Sequence, residues 1–150
     1  MSTTEKRKEI KIEAKQMVTL DQVLRSDRLM KLLFVVNAYG EISEKALSYM
    51  LNELKSQGID LGYSFVQLGG ALINKMLRDD ILSLLYVELL EVSGRARKLK
   101  LTGAGREALE KASVPEDFKE RVRVAVEKLR PKVATVDAEA ELSHVPRSRR

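Results

Sequence analysis

Residues 70–109 read GALINKMLRDDILSLLYVELLEVSGRARKLKLTGAGREAL, and a change of period inside this stretch decides the fold. Leu72, Ile73, Met76, Leu77, Ile81, Leu84 and Leu85 recur at helical spacing. They predict a helix over 71–86 with one apolar face, leaving Asn74, Lys75 and Arg78 on the other side. Glu88, Leu90 and Val92 then alternate with Val87, Leu89 and Glu91, Ser93-Gly94 supplies a turn, and Lys98 and Lys100 alternate with Leu99 and Leu101. That is a β-hairpin over 87–101 with an apolar and a basic face. Thr102 is placed to cap a short helix that opens on Gly103-Ala104-Gly105.

Working outward, Leu29, Leu32, Leu33 and Val36 form one apolar stripe behind a Ser26 or Asp27 start, ended by Gly40. Ser43 caps a second helix, in which Leu47, Met50, Leu51 and Leu54 repeat the spacing as far as Gly58. Thr19-Leu20-Asp21-Gln22 fits a capping box for a helix turn just before. Three stripes and the hairpin make a three-helix core, so the expected class is mainly α with a small β-hairpin, α+β. The connection 58–70 is long and holds Gly58, Gly62, Gly69 and Gly70 around Tyr63, Phe65 and Val66. An extended piece is expected there, as a third strand of the small sheet. Beyond the hairpin, Ser113-Val114-Pro115-Glu116 reads as a capping box for a helix that runs to Arg130 and is stopped by Pro131. The expected organisation is a flexible charged arm (1–18), a core domain (19–112), a C-terminal helix (113–130) and a disordered tail (131–150).

The chain has 150 residues, 44% hydrophobic and 33% charged, with a net charge of +5 and a pI near 9.5. That suffices for one core and not for two full domains. With no cysteine, a disulfide framework, a thiolate nucleophile and a cysteine-ligated zinc are excluded. Nothing approaches a membrane span and the N-terminus lacks an apolar signal run, so the expected location is cytoplasmic. The only histidine, His144, falls in the tail, and the consecutive Asp79 and Asp80 diverge around a helix. No acid–base pair, triad or His-metal cluster can be assembled from these. No enzyme and no cofactor are expected.

From Ser93 to Arg106 there are five basic residues, Arg95, Arg97, Lys98, Lys100 and Arg106, and no acid. Such a run suits a polyanion, though lysines also protect exposed strand edges. The order helix, basic-tipped hairpin, helix, with Leu99-Lys100-Leu101-Thr102-Gly103-Ala104-Gly105-Arg106, resembles winged-helix DNA-binding proteins. The likeness is to MarR- and PadR-type transcription regulators, and still more to small archaeal winged helix-turn-helix proteins. In these the second wing strand ends in a Leu-Thr pair followed closely by Gly. The resemblance covers roughly 26–111. It implies a recognition helix at 71–86 in the major groove of double-stranded DNA and a wing at 87–101 over the backbone.

On that reading Asn74, Lys75 and Arg78 face base edges, while Arg95, Arg97, Lys98, Lys100 and Arg106 hold phosphates. A homodimer is expected through Phe118, Val122, Ala125, Val126 and Leu129, an apolar seam that a small core has little room to cover; the competing expectation is that this helix folds back on its own core. The alternative function is a non-enzymatic, protein-interaction winged helix in a larger assembly, because Asp79 and Asp80 near the groove-facing surface would repel phosphate.

Overall fold

The computed structural model describes residues 19–143. The arm 1–18 and residues 144–150, His144 included, lie outside the described residues, and so do the expectations made for them. α1 (Leu20–Leu24) opens on the capping box: Thr19 Oγ1 accepts from Gln22 N at 3.1 Å, and Thr19 N donates to Gln22 Oε1 at 3.2 Å. α2 (Asp27–Tyr39) and α3 (Glu44–Ser56) begin behind Ser26 and Ser43, whose hydroxyls accept from Leu29 N and Ala46 N. Their apolar stripes are buried in one core, as expected from the spacing.

The next segment departs from the expected helix over 71–86. Ala71, Leu72 and Ile73 belong to a strand, and the helix α4 (Lys75–Tyr86) starts only at the cap Asn74. β1 (Val66–Leu68) and β2 (Ala71–Ile73) pair antiparallel across Gly69-Gly70, both at positive φ, which glycine adopts without strain. An extended piece does lie in the long connection, but it forms a sheet of its own. The other sheet also has two strands, extended by a single bridge. β3 (Leu90–Ser93) pairs with β4 (Lys98–Leu101), and Ile42, between α2 and α3, exchanges both backbone hydrogen bonds with Leu99, at 3.1 and 2.7 Å.

The turn into α5 (Gly103–Lys111) explains why threonine and glycine stand where they do. Thr102 Oγ1 donates to Glu88 O at 2.7 Å and accepts from Gly105 N at 2.9 Å, tying the end of the hairpin to the end of α4 while capping α5. Gly105 lies so close to Leu89 that a Cβ there would overlap its carbonyl oxygen. Only glycine fits without displacing the backbone.

α6 (Glu116–Ser143) overturns two expectations. It begins at Glu116, with Lys119 N donating to Pro115 O at 3.1 Å, rather than at a Ser113 capping box. It also runs through Pro131 for three further turns, so 132–143 is helix and not disordered tail. An internal proline removes one hydrogen bond and crowds the preceding turn, at a cost of about 3 kcal/mol. Burial offsets it: Val133, Asp137 and Ala140 continue the stripe of Val122, Val126 and Leu129 at helical spacing, and all are buried. The helix lies across α2 and α3. Arg130 fastens it there, donating to Tyr39 O at 3.1 Å and Ala38 O at 3.3 Å at the carbonyl end of α2, with its guanidinium 4.6 Å from the Tyr39 ring centroid.

The homodimer seam is corrected by the same packing. Val122, Ala125, Val126 and Leu129 are buried inside the subunit, and Phe118 packs on Phe34 with ring centroids 6.3 Å apart. The residues expected to meet a second copy cover the chain's own core.

Two buried carboxylates join elements distant in sequence. Asp80 receives Arg28 in a bidentate pair, Nε at 2.7 Å and a terminal nitrogen at 3.0 Å, and accepts from Tyr63 Oη at 2.7 Å. It thus links α2, α4 and the long connection. Asp137 accepts from Ser43 N at 2.7 Å and pairs with Lys98 Nζ at 2.8 Å, linking α6 to the start of α3 and to β4.

Candidate nucleic-acid interface

The eight residues expected to contact DNA are all ordered, but in different roles. Asn74 is a cap: its Oδ1 accepts from Leu77 N and its Nδ2 donates to Ser64 O, both at 2.6 Å. Its side chain holds the β2–α4 junction rather than facing a groove. Asn74→Ala is therefore expected to lower stability by about 1 kcal/mol, the usual worth of a helix cap, where the exposed-face reading implied almost no change. Thermal unfolding followed by circular dichroism distinguishes the two.

Lys75 and Arg78 do sit on the outer side of α4. Each has an acidic neighbour, Lys75 with Asp79 at 3.2 Å and Arg78 with Glu44 at 3.4 Å. These pairs are exposed, hence worth under about 1 kcal/mol, and either cation can exchange its carboxylate for a phosphate. The rest of that surface is Met76, Leu82 and Tyr86, all exposed. An α4 with two cations, an acid and three large apolar side chains is poorly suited to base reading.

In the hairpin the alternation holds from Leu90 on, with Leu90, Val92, Leu99 and Leu101 on one face, whereas Val87–Leu89, expected in the first strand, turn off the end of α4 with Glu88 at φ 63°. The lysines of the other face have carboxylate partners. Lys98 is mostly buried against Asp137, and Lys100 lies 3.7 Å from Glu41 and 4.0 Å from Glu91. The assignment of Lys98 to a phosphate is corrected, since withdrawing it would strand a buried carboxylate. Sequence could not reveal this, because Asp137 stood in a segment read as disordered.

Arg95 and Arg97 remain. They lie at the hairpin tip, both exposed, in a turn where Gly94 and Arg97 have φ of 71° and 54°. Arg106, in the first turn of α5, is also exposed and makes one long contact, to Leu101 O at 3.5 Å. Arg95 and Arg97 are the cations the fold leaves exposed at the tip; Arg106 lies at the other end of the hairpin, past Leu101, and is followed by Glu107.

The chain's net positive charge does not arise in the described residues. Residues 19–143 contain 19 Lys and Arg against 19 Asp and Glu, a net charge of zero. The net +5 comes from 1–18, with five basic and three acidic residues, and from 144–150, with three arginines. The body is therefore neutral with one basic tip, and it has basic ends.

Among the described residues there is no group of His, Asp and Glu able to hold a metal, and no helix is long and apolar enough to cross a membrane. In comparisons with family models, curated proteins and solved structures, nothing matches this chain.

Proposed function

We propose that this chain is a winged-helix protein that binds double-stranded DNA through its phosphates, with the β3–β4 tip as the wing. The order α2, α3, α4, β3–β4 hairpin, α5 supports the fold part of the reading, with the β1–β2 hairpin inserted between α3 and α4. The observation that carries the function is the pair Arg95 and Arg97, exposed at the tip in a run from Val92 to Arg106 that holds no acid. Lys75 and Arg78 supply further phosphate contacts from α4, and the basic ends add a sequence-independent component. Phosphate contacts position a protein without specifying sequence, so binding of this kind discriminates weakly among duplexes.

A second reading has its own observation. The outward surface of α4 carries three exposed large apolar side chains, Met76, Leu82 and Tyr86, among its charges, on a body of zero net charge, which favours a winged helix that docks protein rather than DNA.

Salt dependence separates the two. Changing Arg95 and Arg97 together to Ala removes two exposed side chains and is expected to leave folding intact. If each holds one phosphate, the slope of log affinity against log salt becomes shallower by about 0.9 per contact. Affinity falls on all duplexes alike. The measurement is fluorescence anisotropy on several duplexes across a salt series, wild type beside the double variant. A wild type that binds none of them gives the case to the protein-docking reading.

A further inference from the structure

Residues 41–44, at the turn between α2 and α3, touch three other elements in succession. Glu41 lies 3.7 Å from Lys100 of β4, Ile42 bridges Leu99 of the same strand, Ser43 N donates to Asp137 of α6, and Glu44 lies 3.4 Å from Arg78 of α4. Ile42 and Ser43 are buried and fix the turn, while the side chains of Glu41 and Glu44 on either side are 51% and 43% exposed. One short turn therefore sets a carboxylate beside a cation of each element assigned to DNA, the wing and α4.

Two neighbouring acids have a local explanation. Asp79 with Lys75 is a helical i,i+4 pair, and Glu91 stands directly across the hairpin from Lys100, so each supports the element it belongs to. Glu41 and Glu44 come from outside those elements. Each of their pairs is exposed, hence weak enough for a phosphate to displace the carboxylate. Displacement does not remove the charge, because the buried turn keeps both acids close to the cations they leave, inside the Debye length of about 8 Å.

We infer that Glu41 and Glu44 are internal competitors of the DNA phosphates: they pair Lys100 and Arg78 in the free protein, repel the phosphates that replace them, and so set the affinity. The inference rests on the DNA reading and adds a control of that same site.

The test is fluorescence anisotropy of the full chain on a random-sequence duplex across a salt series, with wild type beside two double variants. Glu41→Gln, Glu44→Gln removes both charges and keeps the side-chain size. Glu116→Gln, Glu120→Gln is the matched control: it changes net charge equally and also frees two cations, Lys119 and Arg123, but lies about 25–30 Å along α6 from Asp137. Glu44 and Glu116 each stand in the first turn of a helix, so the two variants lose the same dipole contact.

The first variant is expected to bind about tenfold more tightly than wild type at low salt, and the control less than about twofold, with the difference shrinking as salt rises. Equal gains in the two variants, or none in the first, overturn the inference, while a wild type that binds leaves the DNA reading standing. Failure of wild type and first variant alike to bind any duplex overturns both. Should Glu44→Gln lower Tm, Glu41→Gln alone decides, with an expected gain of about threefold; no gain there overturns the inference.

Discussion

Ending the chain after Arg130 is expected to remove most of the protein's stability. The deleted segment buries Val133, Asp137 and Ala140 against the body. Losing Val133 exposes the apolar surface it covers, about 2 kcal/mol. Losing Asp137 leaves Ser43 N without its acceptor and takes from the mostly buried Lys98 a carboxylate at 2.8 Å, about 3 kcal/mol more. Together these approach the whole free energy of a marginal domain, about 5–15 kcal/mol. A thermal melt of the truncated chain should show a transition that is greatly lowered or lost. An unchanged Tm would mean that the last turns of α6 are not packed. Asp137→Asn is the milder companion: its amide oxygen still accepts from Ser43 N while the charge facing Lys98 is gone, so a smaller loss is expected.

Asp80→Ala is expected to have the second largest effect. Asp80 is only 6% exposed and holds two partners from distant parts of the chain, Arg28 and Tyr63. Removing it leaves the Tyr63 hydroxyl buried without an acceptor, while Arg28, part-exposed, can turn to water. The expected cost is about 3 kcal/mol, at the lower end for breaking a buried pair because one partner can rehydrate. In Tm this corresponds to a fall of about 10 °C. Tyr63→Phe keeps the ion pair and should cost about 1 kcal/mol. Combining the two substitutions should cost less than their sum, because both remove the same hydrogen bond.

The cluster also carries a pH signature. The hydrogen bond to Asp80 holds the Arg28 guanidinium above its ordinary value, and burial followed by the Asp80 hydrogen bond pushes the Tyr63 phenol well up. A phenol whose folded value is raised contributes stability that is whole below its unfolded value, about 10, and lost as pH rises beyond it. Wild type should therefore lose stability above about pH 10 more steeply than Tyr63→Phe. Equal alkaline slopes would mean that the Tyr63 phenol is neither buried nor held by Asp80 in the folded chain.

How much of this was legible in the chain depends on the range over which each feature is encoded. α2 and α3, the caps at Thr19, Ser26, Ser43 and Thr102, and the β3–β4 hairpin were all readable, because each is set by residues a few positions apart. The β1–β2 hairpin also had its local signal, a Gly-Gly turn between two short apolar runs. It was masked because Ala71, Leu72 and Ile73 fit the first turn of the helix that follows equally well. Asn74, a strong capping residue three positions before Leu77, was the boundary mark.

Pro131 misled for a related reason. Local propensity ends the helix there, yet the spacing of Leu129, Val133 and Ala140 continues across it, and burial on α2 and α3 outweighs the lost hydrogen bond. What only the tertiary structure decided is which charges remain available. The run from Arg95 to Arg106 is uniformly basic in sequence, but Lys98 faces Asp137 and Lys100 faces Glu41, and these acids lie far along the chain. The same holds for Arg28 with Asp80 and for the single bridge of Ile42 to Leu99. Propensity and capping act through a few bonds along the backbone and so are written locally. Charge pairing and strand bridging act through space, and the sequence separation of the partners leaves no local mark.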